Sequence, residues 1–281
     1  MDKLEQYKIK FALDNRTWSF SSVNCYKNCP RCFYLSYLKD PPIEKVNNAF
    51  AQWGTLGHSL FERYVDGALE LYELGDTYEK EYYTQVTLAF PPNKYVDLNA
   101  SYHDKGLEYF ENFDGFPENW ELIESETEVR LGIDGVKFVG YIDLIVRDRN
   151  TGKYIVVDHK SKSKFKDEKE EAEYARQLYL YSLYIKEKYS EYPSHLIFNM
   201  FRSNNIVIIK FSKESLNDAK NWFKNTVETI KKDTKFADMV ALDYEKKGKS
   251  LRDFKKDSFF CNYLCSCRKF CERSKDCIEN K

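Results

Sequence analysis

The sequence predicts an α/β fold in which a mixed central β-sheet is flanked by helices. Three observations support this class. The first part of the chain, residues 18–115, has the apolar spacing and capping residues of helices. Runs rich in β-branched and aromatic residues, typical of strands, follow in residues 121–159. Helical and strand patterns then alternate up to residue 232, as expected for a sheet with flanking helices.

The helical part begins near residue 18, and Ser21-Ser22 is expected to cap a helix that runs to Asn28. Cys29-Pro30 interrupts this helix, because a proline disfavours helix in the residue before it and suits the first turn of a new helix. Cys29 is therefore expected to cap a second helix. The later helices predicted in this part are Arg31–Leu38, Asn48–Leu74 and Leu98–Asn112.

The strands lie in the part of the chain that covers residues 120–232. The segment Asp148-Arg149-Asn150-Thr151-Gly152 is a turn signal that joins two strands into a hairpin. The predicted strands are Glu121–Ile133, Val136–Arg147, Lys153–His159, His195–Phe201 and Ile206–Phe211, and the predicted helices are Glu168–Lys188 and Lys213–Lys232. Glycine and proline are scarce, so long linkers are not expected, and residues 1–281 are predicted to form one domain.

The charge balance excludes a uniformly basic nucleic-acid binder, since 44 Lys and Arg side chains meet 45 Asp and Glu side chains. Local basic patches determine phosphate binding more than the total charge does. The charged N-terminal segment lacks the apolar core of a signal peptide, and no apolar run approaches the ~18 residues of a membrane span. We therefore expect a cytoplasmic protein with reduced thiols and no membrane contact.

The hairpin carries the clearest chemical signal. With Asn150-Thr151 at its tip, facing residues have numbers that sum to 301, so Asp143 lies opposite Asp158. Facing residues share one side of a sheet with Cβ atoms ~4.5–5.5 Å apart. Lys160, two residues beyond Asp158, points to the same side. Two carboxylates and one ammonium group are therefore expected to converge at one end of the sheet.

The two carboxylates of such a pair repel each other unless a cation lies between them. Mg²⁺ prefers one or two carboxylates together with water and substrate phosphates, which is what Asp143 and Asp158 offer. A lysine beside them could orient an attacking water or stabilise charge on a phosphate. A structural ion pair between Lys160 and either aspartate is the alternative that the local sequence leaves open.

Five different short segments follow one another along the chain. They are Phe20-Ser21-Ser22 with Cys29-Pro30-Arg31-Cys32, then Gly54-Thr55-Leu56-Gly57-His58, Gly140-Tyr141-Ile142-Asp143, Asp158-His159-Lys160, and Gln177-Leu178-Tyr179-Leu180-Tyr181. In this order they resemble the motifs of the RecB-like branch of the PD-(D/E)XK nuclease superfamily. The resemblance implies a restriction-endonuclease-like core, in which residues 18–115 are an N-terminal helical part and residues 120–232 the catalytic core.

The resemblance also implies roles for the motif residues. His58, Asp143, Asp158 and the main-chain carbonyl of His159 would bind Mg²⁺ or Mn²⁺, and Lys160 would assist catalysis. Gln177 and Tyr181 would support the site or contact DNA. Three acidic residues near these motifs are further candidates, namely Glu62, which shares a helix face with His58, and Glu126 and Glu128, which precede the hairpin.

The eight cysteines lie only near the two ends of the chain, with none between Cys32 and Cys261. This distribution predicts that residues 25–32 and a cysteine-rich cap of residues 246–281 are joined. Some RecB-like nucleases, of the AddB type and a CRISPR-adaptation type, hold a [4Fe-4S] cluster with one early and three late cysteines. By that resemblance the predicted ligands are Cys29, Cys261, Cys265 and Cys271.

Zinc in a four-cysteine site is the main alternative to the cluster. Cys25, Cys32 or Cys267 could replace one of the four predicted ligands. If these three cysteines and Cys277 bind no metal, they are expected to be small buried apolar side chains.

The function expected from these features is cleavage of DNA. The resemblance favours an exonuclease on single-stranded or end-containing DNA in recombination, repair or phage DNA metabolism, with a helicase or recombination protein as a partner. A structure-specific or CRISPR-adaptation endonuclease and a non-cleaving iron–sulfur DNA-binding module are the alternatives. Lys162, Lys164 and Lys166 are candidates for contacts with the DNA backbone, and a solvated run of charges is the alternative. A further basic stretch, at residues 246–249, leads to the terminal cysteines.

Overall fold

The computed structural model describes residues 3–233, 236 and 258–278. The described helices are α1 (Lys3–Asp14), α2 (Phe20–Asn28), α3 (Pro30–Tyr37), α4 (Ala49–Val65), α5 (Leu74–Gln85), α6 (Leu98–Glu111), α7 (Glu168–Tyr189) and α8 (Lys213–Lys232). The described strands are β1 (Trp120–Ile133), β2 (Val136–Asp148), β3 (Tyr154–Lys160), β4 (His195–Met200) and β5 (Asn205–Lys210). The basic stretch at residues 246–249 lies outside the described residues.

The chain divides into two compact units. One consists of residues 1–48, 133–137 and 222–281, and the other of residues 49–132 and 138–221. The first unit contains all eight cysteines, and the second contains every residue predicted for the catalytic and divalent-metal site.

The first unit contains helices α1 to α3. The predicted cap at Ser21-Ser22 lies two residues too late in the sequence. The N-cap of α2 is Ser19, which forms a reciprocal capping box with Ser22. The predicted break at Cys29-Pro30 is confirmed, since the Cys29 thiol accepts a hydrogen bond from the amide of Cys32 at the start of α3. Phe33 fills the core of this unit against Trp18.

The second unit contains α4 to α6, and here one predicted helix was too long. The segment predicted as one helix from Asn48 to Leu74 is α4, which ends at Val65, followed by a 3₁₀ turn at Leu71–Glu73. Gly67 stops α4 because it adopts a φ of +71°, a left-handed conformation that closes helix ends. The predicted helix at residues 98–112 is confirmed as α6, whereas α5 was not predicted.

A five-stranded sheet has the strand order β1-β2-β3-β4-β5. Strands β2 and β3 are antiparallel, β3 and β4 are parallel, and β4 and β5 are antiparallel. The parallel pair requires a crossover, which α7 provides between β3 and β4. The predicted fold class, a mixed sheet with flanking helices, is confirmed.

The hairpin has the predicted register. Leu144 pairs with Val157 and Arg147 with Tyr154, and both pairs sum to 301. The turn is held by Asp148, whose carboxylate accepts hydrogen bonds from the Asn150 amide and the Thr151 hydroxyl. The register therefore carries Asp143 and Asp158 toward each other, one residue beyond the last paired residues.

Within the described residues, no helix combines the length and apolar character that a transmembrane span requires.

Replacing Gly106 with Ala is expected to destabilise the second unit. Gly106 on α6 faces Tyr78, and an added Cβ would overlap the phenol group of this fully buried tyrosine. Tyr78 cannot yield easily, because its hydroxyl accepts a hydrogen bond from Trp53 and donates one to the Tyr102 carbonyl. Overpacking costs about 1–3 kcal/mol, which exceeds the gain of up to about 1 kcal/mol from replacing glycine in a helix.

Urea unfolding measures the loss as a lower midpoint at constant slope. Gly132→Ala is the control, since a Cβ at Gly132 meets no atom within 4 Å. Equal midpoints for the Gly106→Ala variant and the wild type would contradict the packing described for Tyr78.

Candidate active site

The end of β3 places an ion pair in a buried setting. The Asp158 side chain is 4% exposed, and the Lys160 ammonium group lies 2.6 Å from its Oδ2 atom. Burial alone would lower the pKa of Lys160, but the Asp158 carboxylate outweighs this effect and the pKa is raised. Lys160 is therefore a cation at neutral pH, held beside the carboxylate two residues earlier on the same strand.

Asp143 reaches this pair from the neighbouring strand. Its Oδ2 atom accepts a hydrogen bond of 2.7 Å from the amide of His159 and lies 3.5 Å from Nδ1 of His58. Burial, followed by the charge of Asp158, raises the pKa of Asp143 well above its ordinary value. The two aspartates thus meet as the hairpin register predicts.

His58 approaches the aspartates from α4. Its ring lies 3.5 Å from Asp143, and burial lowers the pKa of the imidazole, so that a neutral ring is favoured. Gly57 allows this approach, because a Cβ at that position would lie 2.6 Å from the ring of Phe201 just beyond β4. The glycine before His58 in the sequence motif therefore has a packing reason.

Glu126 lies close to both His58 and Asp143. One ligand atom from each of these three side chains lies within 4.8 Å of the other two, a spacing that suits a single metal ion. Glu126 has a φ of +42°, which is rare for a residue other than glycine and is often found at functional sites. Alternation along β1 suggested Glu126 only as one of two outside candidates, since sequence patterns do not predict a left-handed residue inside a strand.

Glu128, the other outside candidate on β1, has different partners. Its carboxylate accepts hydrogen bonds from the Tyr141 hydroxyl and from Arg130. Glu62 is exposed on α4, and its charge raises the pKa of Glu126 in addition to the larger effect of burial.

Gln177 and Tyr181 connect α7 to the same site. Lys160 donates a hydrogen bond of 3.4 Å to Gln177, whose amide nitrogen donates one of 2.9 Å to the Tyr181 hydroxyl. The Tyr181 hydroxyl also accepts a hydrogen bond from the Tyr141 amide. Gly140 makes room for this tyrosine, because a Cβ there would overlap the Tyr181 ring.

The imidazole of His159 lies on the other side of β3. It is buried, stacks on Phe61 with ring centroids 4.0 Å apart, and has Nδ1 within 3.0 Å of the Asn199 amide nitrogen. Burial lowers its pKa well below the ordinary value. The ring is thus a neutral core group, and its centroid lies 6.0 Å from that of the His58 ring.

The site therefore combines acidic groups, an imidazole and one lysine at the end of a strand pair. A model of the PD-(D/E)XK nuclease superfamily matches residues 17–272. The chain belongs to the PD-(D/E)XK nuclease superfamily. Membership implies a metal-dependent nuclease, with DNA as the substrate on which such an enzyme acts. No curated protein matches the chain.

The oxygen and nitrogen donors fit the divalent metal that PD-(D/E)XK nucleases use. Carboxylates suit Mg²⁺ and Mn²⁺, and a neutral imidazole can bind Mn²⁺ as well. In the described residues, the acidic pair, His58 and Glu126 all lie in the second unit, so no other unit has to supply a donor.

Two of the basic residues that follow β3 are exposed. Lys164 and Lys166 point to solvent, whereas Lys162 forms an ion pair of 2.6 Å with Glu170 on α7. Lys162 is therefore partly neutralised, and Lys164 and Lys166 are the better placed of the three for contacts with phosphates.

The cysteines from the two ends of this nuclease come together in the first unit, and all eight are free thiols. Sulfur atoms of Cys32, Cys265 and Cys267 lie within 4.8 Å of one another. Of the four predicted cluster ligands, only Cys265 belongs to this trio. Cys29, Cys261 and Cys271 lie outside it.

The Asp143→Asn variant is expected to lose a pH dependence of stability when a chelator removes divalent cations. Burial and Asp158 raise the pKa of Asp143 in the folded protein, so folding favours its protonated form. Such a group contributes stability that is fully present below its unfolded pKa and is lost as the pH rises through the folded pKa. Asparagine has no proton to lose, so the variant should gain stability over the wild type as the pH rises.

Thermal unfolding of both proteins from acidic to neutral pH tests this sign. The difference in melting temperature should be small in acid and should favour Asp143→Asn at neutral pH. A difference that does not change with pH would show that Asp143 ionises with its ordinary pKa.

Proposed function

We propose that this protein is a metal-dependent deoxyribonuclease that acts as an exonuclease on single-stranded or end-containing DNA. The observation that carries the proposal is the convergence of His58, Glu126 and Asp143 beside the Asp158–Lys160 ion pair. A structural ion pair alone would not need an imidazole and a third carboxylate within ligand distance of Asp143. The preference for DNA ends rests on the resemblance of the motifs to RecB-like nucleases.

His58, Glu126 and Asp143 would hold the cation, together with Asp158 and the main-chain carbonyl of His159. When bound, a divalent cation supplies Lewis-acid stabilisation of phosphate charge and a lowered pKa for a coordinated water. The low pKa of His58 keeps the imidazole unprotonated and therefore able to act as a ligand. The raised pKa of Asp143 reflects two buried carboxylates in one place, a conflict that a cation relieves.

Lys160 is the cation that the chain itself provides. Its raised pKa keeps it protonated, so it can donate a hydrogen bond to a phosphate oxygen or hold a water next to the phosphorus atom. Asp158 and Gln177 contact its ammonium group and fix its position. Tyr181 is a positioning residue, because it links Gln177 to the backbone of β2 at Tyr141.

The substrate strand would lie over the end of the β2–β3 strand pair that carries Asp143 and Asp158. Lys164 and Lys166 follow β3 directly and are exposed, which supports a role in binding the DNA backbone. In this proposal the protein works in recombination, repair or phage DNA metabolism, next to a helicase or recombination protein that supplies DNA ends.

The thiols of the first unit are proposed to bind a metal group. Cysteines drawn from both ends of the chain and packed together as free thiols are typical of iron–sulfur and zinc sites. The sequence motifs predict Cys29, Cys261, Cys265 and Cys271 as the ligands of a [4Fe-4S] cluster.

The Asp143→Asn and Lys160→Ala variants are expected to lose DNA cleavage by at least ~100-fold, the scale on which groups that stabilise transition-state charge act. The measurement uses end-labelled linear and circular single-stranded DNA with Mg²⁺ or Mn²⁺. An exonuclease degrades the linear form and leaves the circles intact, whereas cutting of circles identifies an endonuclease.

Lys169→Ala is the matched control for Lys160→Ala, because Lys169 is exposed on α7 and should leave the activity unchanged. Circular dichroism checks that each variant is folded. Wild-type activity in both active-site variants would contradict the proposed site, and a folded wild type that binds DNA without cutting either substrate would identify a binding module.

The Glu126→Gln variant should need a higher metal concentration for half-maximal activity, by about 10-fold or more, at least the loss expected for a group that only supports a metal ligand. The amide keeps the size of the side chain but loses its charge. Glu128→Gln is the control, since Glu128 is also exposed on β1 but is engaged by Tyr141 and Arg130. Identical metal curves for the two variants and the wild type would remove Glu126 from the ligand set.

A further inference from the structure

The sulfur atoms of the first unit have a spacing that the predicted iron–sulfur site does not explain. The Cys32 sulfur lies 3.8 Å from that of Cys265 and 4.0 Å from that of Cys267. A tetrahedral ion with metal–sulfur bonds of about 2.3 Å places its thiolates about 3.8 Å apart. In a four-iron cluster each thiolate binds a different iron, so the thiolates stand farther from one another. The trio therefore has the dimensions of a site for one ion.

Cys25 is placed to complete the set of four. It lies on α2, whereas Cys32 lies on α3, and the neighbouring Cys32 thiol, followed by burial, raises the pKa of the Cys25 thiol. Two thiols then come from the N-terminal helices and two from the segment Cys265-Ser266-Cys267. This two-plus-two arrangement differs from the one-plus-three arrangement that the sequence motifs predict.

The surroundings of the trio suit thiolates. The Ser36 hydroxyl lies 3.0 Å from the Cys267 sulfur, and such contacts orient and stabilise a ligating sulfur. Cys32, Cys265 and Cys267 are buried, so water does not compete for the ion. The segment is also tied to the N-terminal part by main chain, since the Val46 amide donates a hydrogen bond to the Ser266 carbonyl.

Cys29 does not belong to this set. Its sulfur accepts the Cys32 amide as the cap of α3 and is not among the three sulfur atoms that lie within 4.8 Å of one another. Of the one-plus-three ligands, Cys265 belongs to the trio, and Cys29, Cys261 and Cys271 lie outside it. Cys277 is the remaining cysteine of the chain. It is buried, and its amide donates a hydrogen bond to the Ser274 carbonyl.

We propose that Cys25, Cys32, Cys265 and Cys267 bind one ion of the zinc class, without Cys29, Cys261 and Cys271. The inference rests on the proposal that the thiols bind metal, but it is independent of DNA cleavage. The ion joins α2 and α3 to the C-terminal segment within the first unit. Four of the eight cysteines then serve one site that is drawn from both ends of the chain.

The test is the metal content of the full chain purified without oxygen. Zinc, iron and sulfide are measured for the wild type and for the Cys32→Ser, Cys267→Ser and Cys271→Ser variants. We expect one zinc per chain in the wild type, its loss in Cys32→Ser and Cys267→Ser, and its retention in Cys271→Ser. Equal loss of zinc in Cys271→Ser and Cys267→Ser, or a wild type whose thiols hold only iron and sulfide, would overturn the proposal.

X-ray absorption at the zinc edge keeps the proposal testable if a variant does not fold. The wild-type zinc should have four sulfur neighbours and no iron beyond them. Nitrogen or oxygen in the first shell, or an iron neighbour, would overturn the assignment. Because metal content is measured without DNA, an inactive nuclease with one tetrathiolate zinc would contradict the proposed function and leave this inference standing.

Discussion

Asp143 and Asp158 come together at the open end of the β2–β3 hairpin, away from its turn. Asp158 is almost fully buried, and the nearby Asp143 adds to the electrostatic cost of burying a carboxylate there. Like charges in a buried place are tolerated only when other groups compensate them. Lys160 compensates one of the two carboxylates, and the amide of His159 hydrogen-bonds the other. The remaining negative charge is the feature on which the proposed cation site depends, and the neighbouring elements are arranged around it.

The supporting elements each depend on a close approach. Gly57 lets α4 bring His58 against the strands, and Gly140 lets Tyr181 reach the backbone of β2. Tyr181 and Gln177 then form a hydrogen-bonded chain that ends at the Lys160 ammonium group. Because these contacts run through a strand pair and a long helix, the proposed catalytic groups are held by regular secondary structure, which positions side chains more accurately than loops do.

The first unit is organised by a different interaction, the packing of thiols from residues far apart in sequence. Cys32 and Cys267 are 235 positions apart, yet their sulfur atoms lie 4.0 Å from each other. A metal ion is a strong source of such long-range order, since its binding energy adds directly to folding. The aromatic core around Trp18 and Phe33 supplies apolar burial in the same unit.

Local sequence determined most of the elements of this protein and the hairpin at its centre. Hydrophobic periodicity and the turn at Asp148 were sufficient for the strands and for the register that opposes Asp143 and Asp158, because the two-residue period of a strand leaves few alternatives. Only the tertiary structure decided that Glu126 joins His58 and Asp143, since its left-handed backbone interrupts the alternation on which strand prediction relies. It also decided which cysteines meet, because sequence spacing limits only neighbours along the chain, whereas helix packing and the break at Cys29-Pro30 place Cys32, rather than Cys29, beside Cys265 and Cys267.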